Sequence, residues 1–141
     1  MDSLTIAEGL GIIFDLDGVV LHSNPVHETA WAQYLERLGM ELTPGFAQRM
    51  YGKRNDQILS ELFPGSPHEA IVKHSQDKEA LFRELIAPEF EARLTPALRE
   101  FLAANAARPI GLGTNAEQAN ADFALDTAGI RKYFRVIVNG W

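Results

Sequence analysis

The chain has 141 residues, 46% of them hydrophobic and 23% charged, which suits one compact domain of ordinary size with room for an insertion. Its net charge is −6 and no stretch gathers Lys and Arg densely, so nucleic acid is not an expected partner. The absence of cysteine excludes disulfides, thiolate metal sites and thiol nucleophiles, and leaves carboxylates, hydroxyls, amides and nitrogens to carry any chemistry.

Asp2 and Glu8 stand where a secretory leader would be basic, and no apolar run approaches the roughly 20 residues of a membrane span, so a cytoplasmic protein without a membrane partner is expected. Gly11-Ile12-Ile13-Phe14 is a continuous apolar run that ends in acid, which predicts a buried parallel strand with function at its carboxyl end. From Pro25 to Leu38, Val26, Ala30, Trp31, Tyr34, Leu35 and Leu38 recur at helical spacing, and Gly39 marks the stop. Thr43-Pro44 opens a short helix, and Asn55 or Asp56 starts a third that runs to Leu62. The break Phe63-Pro64-Gly65-Ser66-Pro67 precedes a longer helix to about Ile86. Thr95-Pro96 begins another helix, Pro109 to Gly113 reads as a second buried strand, Ala116 to Ala128 as a helix and Phe134 to Val138 as a third strand. Strand, helical block, then helix, strand, helix and strand predicts an α/β domain interrupted by a helical insertion. The chain leaves the sheet domain near Leu21–Asn24 and returns near Phe90–Thr95, so residues 1–22 and 95–141 are expected to form the α/β part and 23–94 the helical one.

The segment Asp15-Leu16-Asp17-Gly18-Val19-Val20 concentrates the chemistry. Residues two apart at a strand end project to the same side, so Asp15 and Asp17 face one cavity, the latter through either its carboxylate or its backbone carbonyl. Such oxygens suit Mg²⁺, which takes one or two carboxylates and completes its octahedron with water and substrate phosphate oxygens. Carboxylates also act covalently: Asp15 fits a nucleophile that forms an aspartyl-phosphate, and Asp17 the general acid that protonates the leaving oxygen and later activates water. Gly18 fits a sharp turn.

Ile12-Ile13-Phe14-Asp15-Leu16-Asp17-Gly18-Val19-Val20 resembles the first signature of the haloacid-dehalogenase-like superfamily, specifically relatives of β-phosphoglucomutase and of small-molecule phosphatases with a helical cap. The resemblance implies a Rossmann-like parallel sheet, an inserted helical cap over 23–94, Mg²⁺ and a small phosphorylated metabolite as substrate. It assigns the nucleophile to Asp15 and the acid/base to Asp17, in agreement with the chemical reading. Within that superfamily the resemblance also implies that a carboxylate at 17 favours phosphate esters over carbon–halogen or carbon–phosphorus bonds.

Leu112-Gly113-Thr114-Asn115 follows the second strand and precedes a helix, a pattern that fits either an ordinary helix cap or a phosphate site. It resembles the family's second motif, which implies that Thr114 binds the transferring phosphoryl group with Asn115 assisting. Tyr51-Gly52-Lys53-Arg54-Asn55-Asp56 fits a solvated helix start equally well, and it also resembles the family's cap loop. On that resemblance Gly52, Lys53 and above all Arg54, whose planar fork suits two parallel hydrogen bonds, meet the substrate's distal phosphate or polar groups. His27 matches a histidine that, in phosphoglucomutase relatives, links cap closure to the acid/base; His22 stands where the family often carries Asp. The family's third and fourth signatures, a later Lys and an acidic pair, do not follow the third strand, so the expected metal site and sheet are incomplete. An alternative to catalysis is therefore a non-catalytic fragment that self-associates or binds a partner through an unfinished sheet edge.

Overall fold

The computed structural model describes residues 6–140. They form two compact units: one comprises the residues up to Ser23 together with those from Phe90 onward, the other is Asn24–Glu89. Among the described residues, no helix is long and apolar enough to cross a membrane.

The first unit is built on a parallel sheet of β1 (Ile12–Phe14), β2 (Ile110–Thr114) and β3 (Val136–Asn139), in that spatial order. The register sets Ile12 against Ile110 and Phe14 against Leu112, then Leu112 against Ile137 and Thr114 against Asn139. The carboxyl ends of all three strands therefore lie side by side, where functional groups collect in open α/β sheets. This is the Rossmann-like α/β arrangement that the order of elements implied.

Burial of the sheet differs from expectation. The apolar run Gly11–Phe14 predicted a buried strand, yet Ile13 is 79% exposed; Val136 and Val138, for which no burial was expected, are exposed as well. The register puts these three side chains on the face that β2 leaves bare with Gly111 and Gly113. The opposite face is packed: Ile110 and Leu112 are buried, and the Phe14 ring meets Phe101 and Phe134 edge-on, both with centroids 6.1 Å away. Gly11, just before β1, allows a close backbone approach, since a Cβ there would sit 2.8 Å from the carbonyl oxygen of Pro109, which also accepts a hydrogen bond from Ile12 N–H at 3.0 Å. Gly11→Ala is expected to cost about 1–3 kcal/mol through this overpacking, read as a lowered urea midpoint at constant slope.

The second unit is helical. In it α1 (Asn24–Arg37) packs along α4 (His68–Ile86), and α3 (Asn55–Leu62) packs on α4; the short α2 (Phe46–Met50) precedes α3. Val26, Ala30, Trp31, Tyr34 and Leu35 form the buried face of α1, as their helical spacing implied. Gly39 ends the helix in the left-handed region, φ 72°, while Met40 N–H bonds back to the carbonyl of Leu35 at 2.9 Å. Trp31, Leu35, Phe46, Ile58, Leu59 and Leu81 belong to one apolar core. The chain returns to the sheet unit through α5 (Phe90–Arg93) and α6 (Leu98–Ala104), and α7 (Gln118–Ala128) makes the crossover between β2 and β3.

Candidate active site

Asp15 is the first residue beyond β1, and its exposed carboxylate accepts a hydrogen bond from Leu16 N–H at 2.7 Å. It lines a cavity of about 300 Å³ together with Gly113, Thr114, Asn115, Val138, Asn139 and Gly140. The loop that follows is folded tightly: Val20 and Leu21 N–H both bond to the Leu16 carbonyl, Gly18 N–H bonds to the Leu21 carbonyl, and Gly18 has φ 80°. That positive φ is what a glycine accommodates without the steric cost a side chain would bring. His22 N–H and Thr95 N–H tie the loop to the returning chain through the carbonyls of Arg93 and Val20.

Asp17 is half-buried in this loop, and its Oδ1 accepts a hydrogen bond at 2.6 Å from the hydroxyl of Ser23, which is fully buried. A buried donor of this kind holds the carboxylate in one rotamer. Asp17 is not among the residues lining the cavity with Asp15.

At the end of β2, the Thr114 side chain is buried and its hydroxyl oxygen accepts a hydrogen bond from Ala116 N–H at 3.0 Å. This bond uses a lone pair and not the hydroxyl proton, so the capping role and a donor role toward an anion are compatible. The next helix, α7, begins at Gln118 rather than at Ala116, which leaves Asn115, at the cavity, and Ala116 in a bend before it. Asn139, which the sequence reading did not select, is paired in register with Thr114 at the end of β3 and lines the same cavity; its amide donates to Gln118 Oε1 at 2.9 Å. The signal that would have found it is positional, since it is the last residue of a parallel strand.

Gly52, Lys53, Arg54 and His27 all lie in the helical unit. Gly52 has φ 74°, and Arg54 is the residue immediately before α3, with its N–H donating to the Gln57 side chain at 3.1 Å. The Arg54 fork is engaged by its neighbour: Nε reaches Asp56 Oδ1 at 3.0 Å and Nη2 reaches Asp56 Oδ2 at 2.5 Å. This contact holds the Asp56 carboxyl below the usual carboxylate range. Lys53 Nζ, half-buried, pairs with the exposed Glu61 at 2.7 Å. His27 stacks on Phe82 with centroids 3.7 Å apart, and its Nδ1 is 2.8 Å from Lys78 Nζ. An ammonium has no lone pair, so in this contact Lys78 is the donor and Nδ1 the acceptor.

The structure thus brings Asp15, Thr114 and Asn115 together at one cavity within the sheet unit. The family model of the haloacid dehalogenase-like hydrolases matches residues 10–141, and the chain belongs to that family. Over 134 residues it is 30% identical to the chloroplastic 5-amino-6-(5-phospho-D-ribitylamino)uracil phosphatase of Arabidopsis thaliana, with 92% of this chain and 35% of that protein covered. Over 133 residues it is 26% identical to the fructose-1-phosphate phosphatase YqaB of Escherichia coli strain K12, covering 91% of this chain and 68% of that one. Among solved structures, a β-phosphoglucomutase from Clostridium difficile superposes with a TM-score of 0.71 at 23% identity, over 90% of this chain and 60% of the other. The chain therefore spans between about a third and about two thirds of the lengths of these relatives.

Proposed function

We propose that the protein containing this chain transfers the phosphoryl group of small phosphorylated metabolites by covalent catalysis, with Asp15 as nucleophile. The observation that carries this reading is the cavity that joins the Asp15 carboxylate, at the end of β1, to Thr114 and Asn115 at the end of β2. A carboxylate facing hydroxyl and amide donors can receive a phosphate ester with its phosphorus toward the nucleophile and its oxygens toward the donors. The phosphatase names of the Arabidopsis and E. coli relatives support the same chemistry.

The Asp15 carboxylate and the Asp17 backbone carbonyl offer the oxygen donors that suit Mg²⁺, which would let the Asp17 carboxyl carry a proton. Among the described residues no group of three or more acidic or histidine side chains could hold a metal. When bound, Mg²⁺ supplies positive charge that screens the carboxylate nucleophile from the phosphate. Asp15 Oδ attacks phosphorus and forms an aspartyl-phosphate, while the ester oxygen leaves with a proton from Asp17. Asp17, now ionised, takes a proton from water; the oxygen of that water attacks phosphorus, releasing inorganic phosphate and restoring the Asp15 carboxylate. If the acceptor is a sugar hydroxyl instead of water, the same two residues perform a mutase reaction. Thr114 and Asn115 hold the phosphoryl oxygens through both steps. Arg54, with Lys53 beside it, binds the part of the substrate distant from the transferring group, exchanging Asp56 for a substrate anion or hydroxyl. His27 keeps its place on the helical insertion through Phe82 and Lys78. The helical insertion, Asn24–Glu89, serves as the family's cap.

Activity profiling against a panel of phosphorylated metabolites with added Mg²⁺, fructose 1-phosphate among them, tests the reading; no turnover of any phosphate ester by the wild-type protein would overturn it. The role of Asp17 has its own test. Asp17→Asn is expected to slow alkyl phosphates by roughly 10²–10⁴, the range of a lost general acid, and aryl phosphates with good leaving groups much less. Equal losses on both would remove Asp17 from that role.

A further inference from the structure

α4 carries the adjacent charged residues Lys78 and Glu79, 1% and 4% exposed, which the proposed chemistry does not use. Glu79 Oε1 is a junction. It accepts from Lys78 Nζ at 2.9 Å and from Asn55 Nδ2 at 2.5 Å, and the same Asn55 amide donates to the buried Ser75 hydroxyl at 3.0 Å. Asn55 is the first residue of α3 and immediately follows Arg54. At the other end of this loop, the Tyr51 hydroxyl donates to Glu28 on α1. The loop Tyr51–Arg54 is thus tethered on both sides, and its Arg54 end is held by two hydrogen bonds to buried oxygens on one long helix.

Burial matters to the strength of that tether. A surface pair such as Lys53 with Glu61 competes with water and is worth little, whereas a hydrogen bond to a buried carboxylate cannot be exchanged for solvent without cost. The backbone entering α3 is consequently fixed against α4, and with it the point from which the Arg54 side chain extends beside Asp56.

We propose that Asn55, Ser75 and Glu79 are positioning residues for substrate selection: through Asn55 they set the place of the Arg54 guanidinium, and so determine which distal groups on a phosphorylated substrate are accepted. The inference rests on the reading of Arg54 as a substrate-binding residue and deepens it by naming the side chains that aim it. None of the three touches substrate in this scheme.

The test compares fructose 1-phosphate, which has polar groups distant from its phosphate, with p-nitrophenyl phosphate, which offers Arg54 little to bind. Asn55→Ala is expected to raise the KM for fructose 1-phosphate about tenfold with kcat within about twofold, the signature of lost uniform binding, and to leave both constants for p-nitrophenyl phosphate within about twofold. Ser75→Ala removes one of two acceptors without touching a charge and is expected to give the same split at smaller size. Glu79→Gln keeps the Oε1 acceptor for Asn55 and is expected to retain a KM near that of the wild type even though its thermal midpoint falls. Amide hydrogen exchange of residues 51–54 is expected to quicken in Asn55→Ala and not in Glu79→Gln. An unchanged KM for fructose 1-phosphate in Asn55→Ala beside a raised one in Arg54→Ala overturns the positioning role alone. A wild-type KM in Arg54→Ala overturns the substrate reading of Arg54 and this inference with it. Equal losses on both substrates, or unaltered exchange in Asn55→Ala, also overturn it.

Discussion

Asp15→Asn is expected to lower phosphoryl transfer by on the order of 10⁴-fold or more, with circular dichroism and unfolding midpoint unchanged. The carboxamide has the shape of the carboxylate, and its Oδ1 can still accept the 2.7 Å hydrogen bond from Leu16 N–H, so the turn after β1 keeps its geometry. The side chain is exposed, so exchanging a charge for an amide carries little desolvation change. What disappears is the anionic oxygen that forms the bond to phosphorus. Two measurements check this: release of inorganic phosphate from p-nitrophenyl phosphate, and covalent labelling of the protein by a ³²P-phosphate ester after an acid quench. Wild type is expected to trap label and Asp15→Asn none. Near-normal turnover in the variant would mean that the nucleophile is a different group.

Much of this site is legible in the sequence because its residues stand at junctions between elements. Asp15 ends an apolar run, Thr114 and Asn115 end another, and both run ends come together because the strands are parallel and adjacent. Asn139 escaped because β3 ends in a residue with no special reactivity, and only the register beside Thr114 gives it a place at the cavity. The expected burial of β1 missed for a different reason. An apolar run reports what a strand is able to bury, and whether both faces are covered depends on what packs above Gly111 and Gly113; Ile13 stays exposed there. Ser23 illustrates a third kind of loss: a lone serine between a loop and a helix carries no pattern, and its bond to Asp17 exists only once the loop has folded back.

α4 shows the sharpest limit. Its charges at Lys73, Asp77, Lys78 and Glu79 look alike in sequence, and the first two do form an exposed i,i+4 pair at 2.8 Å. Lys78 and Glu79 are buried because α1 and α3 pack on the side of α4 where they lie, a fact of tertiary packing that helical spacing does not carry.

Lys78→Met is accordingly expected to be among the most destabilising substitutions in the helical unit, costing about 3–5 kcal/mol, because it leaves Glu79 as a buried charge without its cation. The ammonium lies over the Trp31 ring, 4.9 Å from its centroid, and donates to both Glu79 and His27, so no surface lysine can substitute for it. Set against a typical total stability of about 5–15 kcal/mol, the loss is a large share of what keeps the unit folded. The double variant Lys78→Met/Glu79→Leu is expected to recover most of it, since a buried ion pair replaced by apolar groups of similar size is often neutral. The pH dependence separates the two charges. Burial alone pushes the Glu79 carboxyl up, and the charge of Lys78, then His27 and the hydrogen bonds from Lys78 and Asn55, together outweigh burial and leave it below its ordinary value of 4.5. A carboxyl depressed on folding stabilises the folded state above its unfolded pKa, and that contribution is lost as the pH falls from 4.5 through the folded-state value. In Lys78→Met burial acts unopposed by the ammonium, so Glu79 takes up a proton at higher pH in the folded state than in the wild type. The deficit of the variant is therefore largest near neutral pH and shrinks as the solution is acidified, while the wild type is losing stability over the same acidic range. Urea titrations followed by Trp31 fluorescence at pH 7 and at steps below pH 5 read both curves. A deficit that stays constant down to pH 4 would show that Glu79 is not the charge that Lys78 compensates.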